Sequence, residues 1–552
     1  MAALLNKLGV IVNVLGGRLL SSAGAGAGAE PLDYPFVESD VARLHGIAAR
    51  EGAAAAPSST IDAPTWQGML LPAYFEQLGA GASIFGKQLL YRDLRDGVGD
   101  AERAALAVRL QSLHDHPQLA ALAAVVRPLR DADTEPTAAL FDDALPPIPA
   151  WAGKCWLLAL GLALSVAGAA WTPLAWLAAF FFLFQMLAMQ ARYHAAIDRW
   201  DRQRATIALM LRSCSLAGAA ATGGHPALAP FADVARQAGR INRRLHRSPA
   251  QALSIIGVYL DWFLQANVEH YFKTVRVVAA NLPFLRQCLY LCARLDADLA
   301  LARQRARFAT CWATCGDQVT FDDVVHPLIA APSALSIALG GGAFISGQNG
   351  VGKSTLLRTV GINLLVARAF GFCYASRAVC PMLPVFASMQ AEDAMLQGAS
   401  LYVAELTRAR ELLALGALHA PAGGAIFIID EIFRGTNHLE SVSSAAAVLD
   451  ELALYHLVLV SSHNLVLASL LAHRLSPICV MRAGADGEGV LTLAPEVLTT
   501  TNGISLLEKH GFGDRIDDKA RRVFAWLETF LAQPPGGASV LAPPAVAPAR
   551  AA

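Results

Sequence analysis

Several features that would assign a function at once are missing from this chain. Its nine cysteines form no Cys-x-x-Cys pair, and no histidine pair completes a zinc site near Cys288 and Cys292 or near Cys311 and Cys315. No Ser-His-Asp arrangement or dinucleotide-binding fingerprint is present, and the net charge is +0. Buried, reduced thiols in a cytoplasmic protein are the expected state of such cysteines. What is abundant is apolar: 55% of the residues are hydrophobic and the mean hydropathy is +0.42, high for a wholly soluble protein of this length.

A phosphate-binding loop is the most informative segment present. It begins after the apolar stretch 343–346 and leads into a helix, the context in which such a loop binds a nucleoside triphosphate. The glycines turn backbone N–H groups toward phosphates, Lys353 reaches the β and γ phosphates, and Ser354 offers a hydroxyl to Mg²⁺. The residues predicted to bind ATP are Gly347, Gln348, Asn349, Gly350, Val351, Gly352, Lys353, Ser354 and Thr355.

Two further apolar runs end in polar residues. The run 425–429 reads as a buried parallel strand and is followed by Asp430 and Glu431. We expect Asp430 to hold Mg²⁺ through water and Glu431 to orient the attacking water, which predicts ATP hydrolysis rather than binding alone. The run 457–460 leads to His463, which is either a sensor of the γ phosphate or a structural histidine at a strand end.

Several further segments lie before, between and after these motifs. They are His326-Pro327, the loop with Asn349, Ala391-Glu392-Asp393, Gly398-Ala399-Ser400, Glu405, Asp430 to Thr436, Asn502-Gly503-Ile504 and Lys509 to Phe512. In order and spacing, these segments resemble the ATPase domain of the MutS mismatch-repair family over about residues 316 to 515. Phe433 stands where that family usually has glycine, and Phe tolerates a positive φ poorly.

The resemblance implies a homodimer in which each ATPase site is completed in trans. Ser400 matches the family's signature serine, which approaches the γ phosphate held by the partner subunit; from the residues alone, Ser400 also fits a helix N-cap. The family's mismatch-reading domain has no recognisable counterpart here, and we regard the tripeptide 36–38, Phe-Val-Glu, as coincidental. An ATP-binding-cassette transporter is disfavoured, because the Leu-Ser-Gly-Gly-Gln signature is absent.

A long uncharged run predicts a transmembrane hairpin. Residues 155–190 contain no charged side chain, and Thr172-Pro173 divides them into two segments of about 17 residues, each about 25 Å long as a helix. Lys154 on one side and several arginines after residue 190 on the other would both be cytoplasmic, in accord with the positive-inside rule. The alternative is a buried helical hairpin of a soluble protein.

A basic cluster lies in the helical region between this hairpin and the ATPase. Residues 192–307 carry 17 Lys and Arg against 7 Asp and Glu. Within it, five arginines are spaced to line one side of a helix and its end, which fits contact with DNA phosphates, attraction to anionic lipid, or a solvated face. These arginines are Arg236, Arg240, Arg243, Arg244 and Arg247.

Together these patterns predict an α/β P-loop ATPase of the ABC-like MutS type, preceded by an α-helical core and lever region and a transmembrane helical hairpin. The segment with superficial likeness to an export signal near the N-terminus is instead expected to be a cytoplasmic tail. The expected segments are a disordered tail (1–60), a helical, MutS core-like part (61–150), the hairpin (151–191), the lever (192–315), the ATPase (316–515), and a helix with a disordered tail (516–552).

The predicted function is a MutS-family ATPase that uses ATP and Mg²⁺, binds DNA, and is related to mismatch repair. It would be anchored in the cytoplasmic membrane, the inner membrane of a bacterium, with the ATPase facing the cytoplasm. The alternative is a membrane-tethered, ATP-driven conformational switch that acts on a protein or lipid partner without DNA.

Overall fold

The computed structural model describes residues 32–37, 60–113, 116–141, 145–221, 225–247, 254–389, 401–482, 491–498 and 514–530. Its contacts divide the chain into two compact units, each described here by itself. The helical unit comprises the described parts of 1–55, 79–90 and 109–302. The sheet unit comprises the described parts of 56–78, 91–108 and 303–552, so it takes in two segments that lie upstream of the expected ATPase boundary.

Helices account for the described chain up to residue 307. They are α1 (Ala63–Gly68), α2 (Leu71–Leu78), α3 (Ile84–Asp96), α4 (Asp100–Ser112), α5 (His116–Val126), α6 (Ala138–Phe141), α7 (Trp156–Gly168), α8 (Ala175–Ala220), α9 (Ala229–Leu245), α10 (Ser254–Phe263), α11 (Ala266–Ala279) and α12 (Leu282–Arg307). Short 3₁₀ turns occupy Arg127–Asp131 and Pro226–Leu228.

The uncharged run forms α7 and the first part of α8. Helix α7 is 13 residues long, shorter than the segment expected, because the turn begins at Ala169 and continues through Pro173. Helix α8 is 46 residues long and runs past residue 191, where we expected the hairpin to end. Gly161 allows α7 to approach α8 closely, since a Cβ there would lie 2.5 Å from the ring of Phe182. The two helices therefore form a helical hairpin.

The apolar surface of this hairpin is mostly uncovered by protein. Helix α8 is the one helix of the described residues that is long and apolar enough to cross a membrane, and only 11% of its most apolar window is buried. Trp171 is 82% exposed, and Leu177 is 67% exposed. The polar side chain of Ser165 is satisfied within α7, because its hydroxyl donates to the carbonyl of Gly161 at 2.7 Å. Within the described part of the chain, no protein segment covers these side chains.

The second half of α8 packs against α9 in the helical unit. Helix α9 buries one stripe of side chains, and Gly218 of α8 faces Ala235 so closely that a Cβ would lie 2.2 Å from it. The guanidinium of Arg204 donates to the carbonyl of Leu245 at 3.0 Å, which fixes the C-terminal end of α9 beside the middle of α8. The buried stripe consists of Phe231, Val234, Ala238, Ile241 and Leu245.

Part of the segment expected to be a disordered tail is held in place. The N–H of Asp33 donates to the carbonyl of Arg130 at 2.9 Å, and the guanidinium of Arg130 pairs with the carboxylate of Asp33. This ion pair lowers the pKa of the Asp33 carboxyl. Residues 32–37 thus differ from the tail expected there, whereas residues 1–31 and 38–59 lie outside the described residues.

The sheet unit contains two sheets and the helices that pack around them. Its strands are β1 (Cys311–Cys315), β2 (Val319–Val324), β3 (Leu335–Leu339), β4 (Gly342–Gly347), β5 (Phe372–Cys373), β6 (Arg377–Cys380), β7 (Val385–Ser388), β8 (Ile426–Asp430), β9 (Leu457–Ser461), β10 (Leu475–Arg482) and β11 (Leu491–Ala494). Its later helices are α13 (Lys353–Phe370), α14 (Leu401–His419), α15 (His438–Ala453), α16 (Val466–Leu470) and α17 (Asp514–Phe530).

The larger sheet positions the site. Its six strands follow the order β11-β10-β4-β9-β8-β7, and all neighbours are parallel except β10 and β11. The smaller, five-stranded sheet follows the order β3-β2-β6-β1-β5. Strand β8 is buried along its whole length, as expected of an interior strand in a parallel sheet with both faces covered. The strands expected before the loop and before the Asp-Glu pair are β4 and β8.

Candidate active site

The phosphate-binding loop connects β4 to α13. Gly350 has φ 76° and Gly352 has φ 112°, values that favour glycine over residues with a Cβ. At Gly347 the limit is space, because a Cβ would lie 2.8 Å from the carbonyl oxygen of Val480 on the neighbouring strand. The loop side chains Gln348 and Asn349 are exposed, as is Thr355, while Ser354 is half-buried at the first turn of α13. The loop thus presents backbone and hydroxyl groups at the N-terminus of a helix, as phosphate binding requires.

Lys353 lies over the loop itself. Its ammonium donates to the carbonyls of Gly347 at 2.9 Å and of Gln348 at 3.2 Å. Burial lowers the pKa of Lys353, and the nearby carboxylates of Glu431 and Asp430 oppose that shift. The ammonium is therefore already placed among the groups that would surround a phosphate.

Asp430 ends β8 as a buried carboxylate. The hydroxyl of Ser461, its register partner at the end of β9, donates a hydrogen bond to it. Sequence analysis did not assign Ser461 a role, although its position directly after the apolar run 457–460 was a usable signal. Ser461 thus holds one carboxylate oxygen of Asp430 in place.

Glu431 follows β8 with φ 61° and lies at the centre of a charged group. Its carboxylate is 2.8 Å from Nε2 of His463 and 3.3 Å from the guanidinium of Arg434. Arg434 also lies 3.5 Å from the carboxylate of Glu405 on α14. The hydrogen bond with His463 lowers the pKa of the Glu431 carboxyl, and the charges of His463 and Arg434 act in the same direction. Glu431 is thus held ionised, the form that can orient a water molecule.

Phe433 adopts the left-handed backbone conformation that glycine would adopt at this position, although it carries a large side chain. Its φ is 56°, its ring is 1% exposed, and the ring centroid lies 6.1 Å from that of Tyr402. The departure from the family's glycine is therefore tolerated by burying the ring, with the backbone strained as predicted.

His326, the histidine of the His-Pro element, is buried. Its Nδ1 accepts the N–H of Leu328 at 3.2 Å, which closes a tight turn after β2. Burial lowers the pKa of His326 to about 4, and the charge of Arg358 contributes to that shift. The structure thus places His326 as a neutral, turn-forming residue.

The predicted basic cluster lies in the helical unit, on α9 and just after it. Arg236, Arg240, Arg243 and Arg244 are exposed on the face of α9 opposite its buried stripe. Arg247 differs, because its guanidinium pairs with the buried carboxylate of Asp261 at 3.0 Å. Four of the five arginines therefore remain open to a ligand.

Other predicted residues fall outside the described part of the chain. These are Ser400 with the segment 391–399, and the segments Asn502-Gly503-Ile504 and Lys509 to Phe512. Within the described residues, the structure brings together the loop, Asp430, Glu431 and His463, and it adds Ser461, Arg434 and Glu405.

The donor set near the loop fits Mg²⁺. Among the described residues no group of three His, Cys, Asp or Glu side chains could hold a metal by itself. Mg²⁺ in nucleotide sites usually takes only one or two protein ligands, and phosphate oxygens and waters complete its shell. The hydroxyl of Ser354 and the carboxylate of Asp430 supply ligands of that kind.

A parallel sheet with a phosphate loop after one strand and an Asp-Glu pair after another defines a P-loop ATPase domain. Residues 343–528 match the family model described as MutS domain V, an ABC-type ATPase domain. The match lies in the part of the chain where the sequence motifs predicted an ATPase domain of the MutS type.

Curated relatives extend this likeness over about half of the chain. A DNA mismatch repair protein MutS from Natronomonas pharaonis is 26% identical over 284 residues, which cover 49% of this chain and 33% of the relative. A DNA mismatch repair protein MutS from Thermus thermophilus is 27% identical over 48% of this chain and 33% of the relative. For a DNA mismatch repair protein MutS 2 from Haloarcula marismortui the identity is 28%, over 39% of this chain and 21% of the relative. The chain thus matches a third or less of these relatives' length.

Proposed function

We propose that this chain hydrolyses ATP, with Glu431 orienting the attacking water. The observation that carries the proposal is strand register. Ile345 of β4 and Asp430 of β8 both pair with Ser461 of β9, so the phosphate loop and the two carboxylates lie at the same edge of the sheet. The phosphates of ATP and the groups needed to cleave the γ phosphate would then meet within one short segment.

The side chains of this chain have distinct tasks in that reaction. Lys353 would exchange the carbonyls of Gly347 and Gln348 for phosphate oxygens, which bear full charge and are stronger acceptors. Ser354 and Asp430 would hold Mg²⁺, which neutralises phosphate charge when bound. Glu431 would accept a hydrogen bond from the attacking water, while His463 stays within reach of the γ phosphate.

The test compares two carboxamide variants of full-length protein. Glu431→Gln should retain ATP binding but slow hydrolysis at least about 100-fold, because a carboxamide is a poor acceptor for the proton of water. Glu451→Gln, an exposed position on α15, is the matched control and should hydrolyse ATP normally. Lys353→Ala should weaken binding itself. Unchanged turnover in Glu431→Gln would falsify the assigned role.

We propose further that two copies of the chain complete each other's sites. MutS-family ATPases typically dimerise, and Ser400 stands at the position of the family's trans-acting serine. Mixing inactive Lys353→Ala protein with inactive Ser400→Ala protein should restore part of the turnover, because one of the two mixed sites then carries both wild-type residues. If mixed dimers form but stay inactive, the trans site is refuted.

The uncovered hairpin supports anchoring of this ATPase in a membrane. Helix α7 and the part of α8 up to Gln190 expose an apolar surface without a charged side chain, which a bilayer would cover. Full-length protein should sediment with membranes and resist extraction by carbonate, whereas a chain lacking residues 152–191 should be released. Recovery of intact protein without detergent in the soluble fraction would remove the membrane from the proposal.

DNA is a second candidate ligand, and the exposed arginine face of α9 favours it. Replacing Arg236, Arg240 and Arg244 with Gln should then weaken duplex binding alike across sequences and lower the log-log salt slope by up to about 2.7, from about 0.9 per phosphate contact. Duplex, mismatched and branched DNA should be compared at two salt concentrations. If none binds, the ATPase acts as a switch on a protein or lipid partner.

A further inference from the structure

The end of α10 exposes apolar side chains that the hairpin does not include. Tyr259 is 61% exposed, Phe263 is 53% exposed, and Leu264 is 44% exposed. The rings of Tyr259 and Phe263 stack one helical turn apart, with centroids 6.4 Å from each other and planes inclined by 16°. Two stacked aromatic rings beside an exposed leucine form a contiguous patch, which solitary surface residues do not.

Hydrogen bonds place this patch beside the residue of α8 at which the uncharged run ends. Gln190 is the last residue of that run, and its side-chain amide donates to the carbonyl of Asp261 at 2.6 Å. The same amide group exchanges hydrogen bonds with the side chain of Asn267 at 3.0 and 2.8 Å. Asp261 lies between Tyr259 and Phe263 in the sequence, so the patch is tied to the base of the hairpin.

The first helix of the hairpin, α7, is held by the same segment of chain that holds Gln190. The N–H of Cys155, one residue before α7, donates to the carboxylate of Glu269 on α11 at 2.7 Å. Both ends of the uncharged run, Cys155 and Gln190, are therefore held by one short stretch of chain, residues 261–269. The base of the hairpin therefore lies beside the end of α10.

The side chains at the base of the hairpin are of the kinds that are common at a membrane surface. Lys154 and Arg192 are exposed immediately outside the run, and the guanidinium of Arg192 lies 5.7 Å from the centre of the Tyr193 ring. Trp151 packs edge-to-face on Phe272 with centroids 5.3 Å apart. Aromatic rings with nearby basic side chains are typical of the layer between lipid tails and headgroups.

The charge of Asp261, which lies between Tyr259 and Phe263 in the sequence, is neutralised. Asp261 is buried, and its carboxylate pairs with Arg247 at 3.0 Å, so it would not repel anionic headgroups. Arg247 thus has a role in keeping this surface free of negative charge, distinct from the four exposed arginines of α9.

We propose that Tyr259, Phe263 and Leu264 form a second membrane contact, seated in the interfacial layer of an anionic bilayer beside the hairpin. This inference rests on the proposed membrane anchoring. The aromatic side chains lie among the lipid headgroups and upper tails, while Lys154 and Arg192 contact lipid phosphates. The contact fixes the helical unit against the membrane surface in one orientation.

The test places a photoreactive p-benzoylphenylalanine at three positions, one at a time, in full-length protein reconstituted in vesicles of phosphatidylcholine and phosphatidylglycerol. Position 263 should cross-link to lipid. Position 177, which is 67% exposed on the hairpin, is the positive control. Position 216, which is 41% exposed and roughly 39 Å beyond Gln190 along α8, should not cross-link.

The outcomes separate this inference from the membrane proposal itself. Lipid cross-links at 177 but not at 263 would overturn the second contact and leave the anchor standing. No cross-link at either position would overturn both. If lipid cross-links at 263 disappear when duplex DNA is added and protein–DNA cross-links replace them, the surface belongs to nucleic acid and the inference fails.

A charge variant tests the headgroup contact. Lys154→Gln with Arg192→Gln should lower the ratio of phosphatidylglycerol to phosphatidylcholine cross-linked at 263 by at least about two-fold, because each basic side chain near the surface attracts anionic lipid. Arg127→Gln with Arg212→Gln removes the same charge from exposed positions outside the proposed contact and should leave the ratio unchanged. Equal effects of the two pairs would refute a local contact.

Discussion

Strand β8 and the hairpin are the two most apolar stretches of this chain, and they differ in what covers them. The side chains from Ile426 to Ile429 are 0% exposed between the neighbouring strands and helices of the sheet unit. In the hairpin, Phe180 is 64% exposed and Phe184 is 66% exposed. Apolar composition alone therefore predicts that a segment avoids water. Whether other parts of the protein cover that segment depends on how the rest of the chain packs.

The largest expected effect comes from placing a charge in each stretch. Ile428→Asp should prevent the sheet unit from folding, at a cost above about 4 kcal/mol, because an unpaired carboxylate would be buried in an interior strand. Leu177→Asp should leave ATP turnover intact and disfavour membrane insertion, by less than the about 3 kcal/mol that applies at a helix centre, because Leu177 lies in the first turn of α8.

Thermal unfolding, turnover and membrane fractionation of both variants measure this contrast. Ile428→Val and Leu177→Ala are the controls, and both should behave nearly as wild type. If Leu177→Asp abolished turnover as Ile428→Asp does, the hairpin would be a protein core and the comparison would fail.

A smaller effect is expected at Phe433, where burial of a ring is opposed by backbone strain. Phe433→Ala should cost about 3–5 kcal/mol, since it removes the ring and keeps a Cβ at positive φ. Phe433→Gly removes the same ring and relieves the strain, so it should be more stable than the alanine variant by about 1 kcal/mol. Both should be less stable than wild type in denaturant unfolding. A glycine variant more stable than wild type would show that strain outweighs packing there.

The smallest effect is a pH dependence that the two units share. Burial lowers the pKa of His326 in the sheet unit and of His270 in the helical unit to about 4 each. Because the unfolded chain takes up these protons near pH 6.5, stability is fully present above that pH and falls as the pH drops toward 4.

Hydrogen exchange resolved by peptide should detect this loss in each unit separately. His326→Gln should flatten the pH dependence in the sheet unit while that of the helical unit persists, and His270→Gln should do the reverse. A pH dependence that survives in the unit carrying the substitution would assign it to other groups.

Local patterns allowed the loop, β4, β8 and the Asp-Glu pair to be predicted, because a phosphate loop and a buried strand are defined by consecutive residues. The ionic group around Glu431 was not foreseen as a group, because Glu405, Arg434 and His463 meet only after α14, β8 and β9 have come together. The pairing of Arg247 with Asp261 was missed for the same reason, although the helical spacing of the arginines was correct.

Because α8 is one continuous helix, the rotation of its first half about the helix axis fixes the rotation of its second half. Each residue of an α-helix turns the chain by about 100°, so the side of α8 that meets α7 at Gly161 is locked in phase with the side that meets α9 at Gly218. One residue inserted near position 195 would rotate these two faces apart by that angle, whereas seven would return them to within about 20°. In this molecule, the number of residues between the apolar and the packed half of one helix sets the direction in which the rest of the helical unit faces.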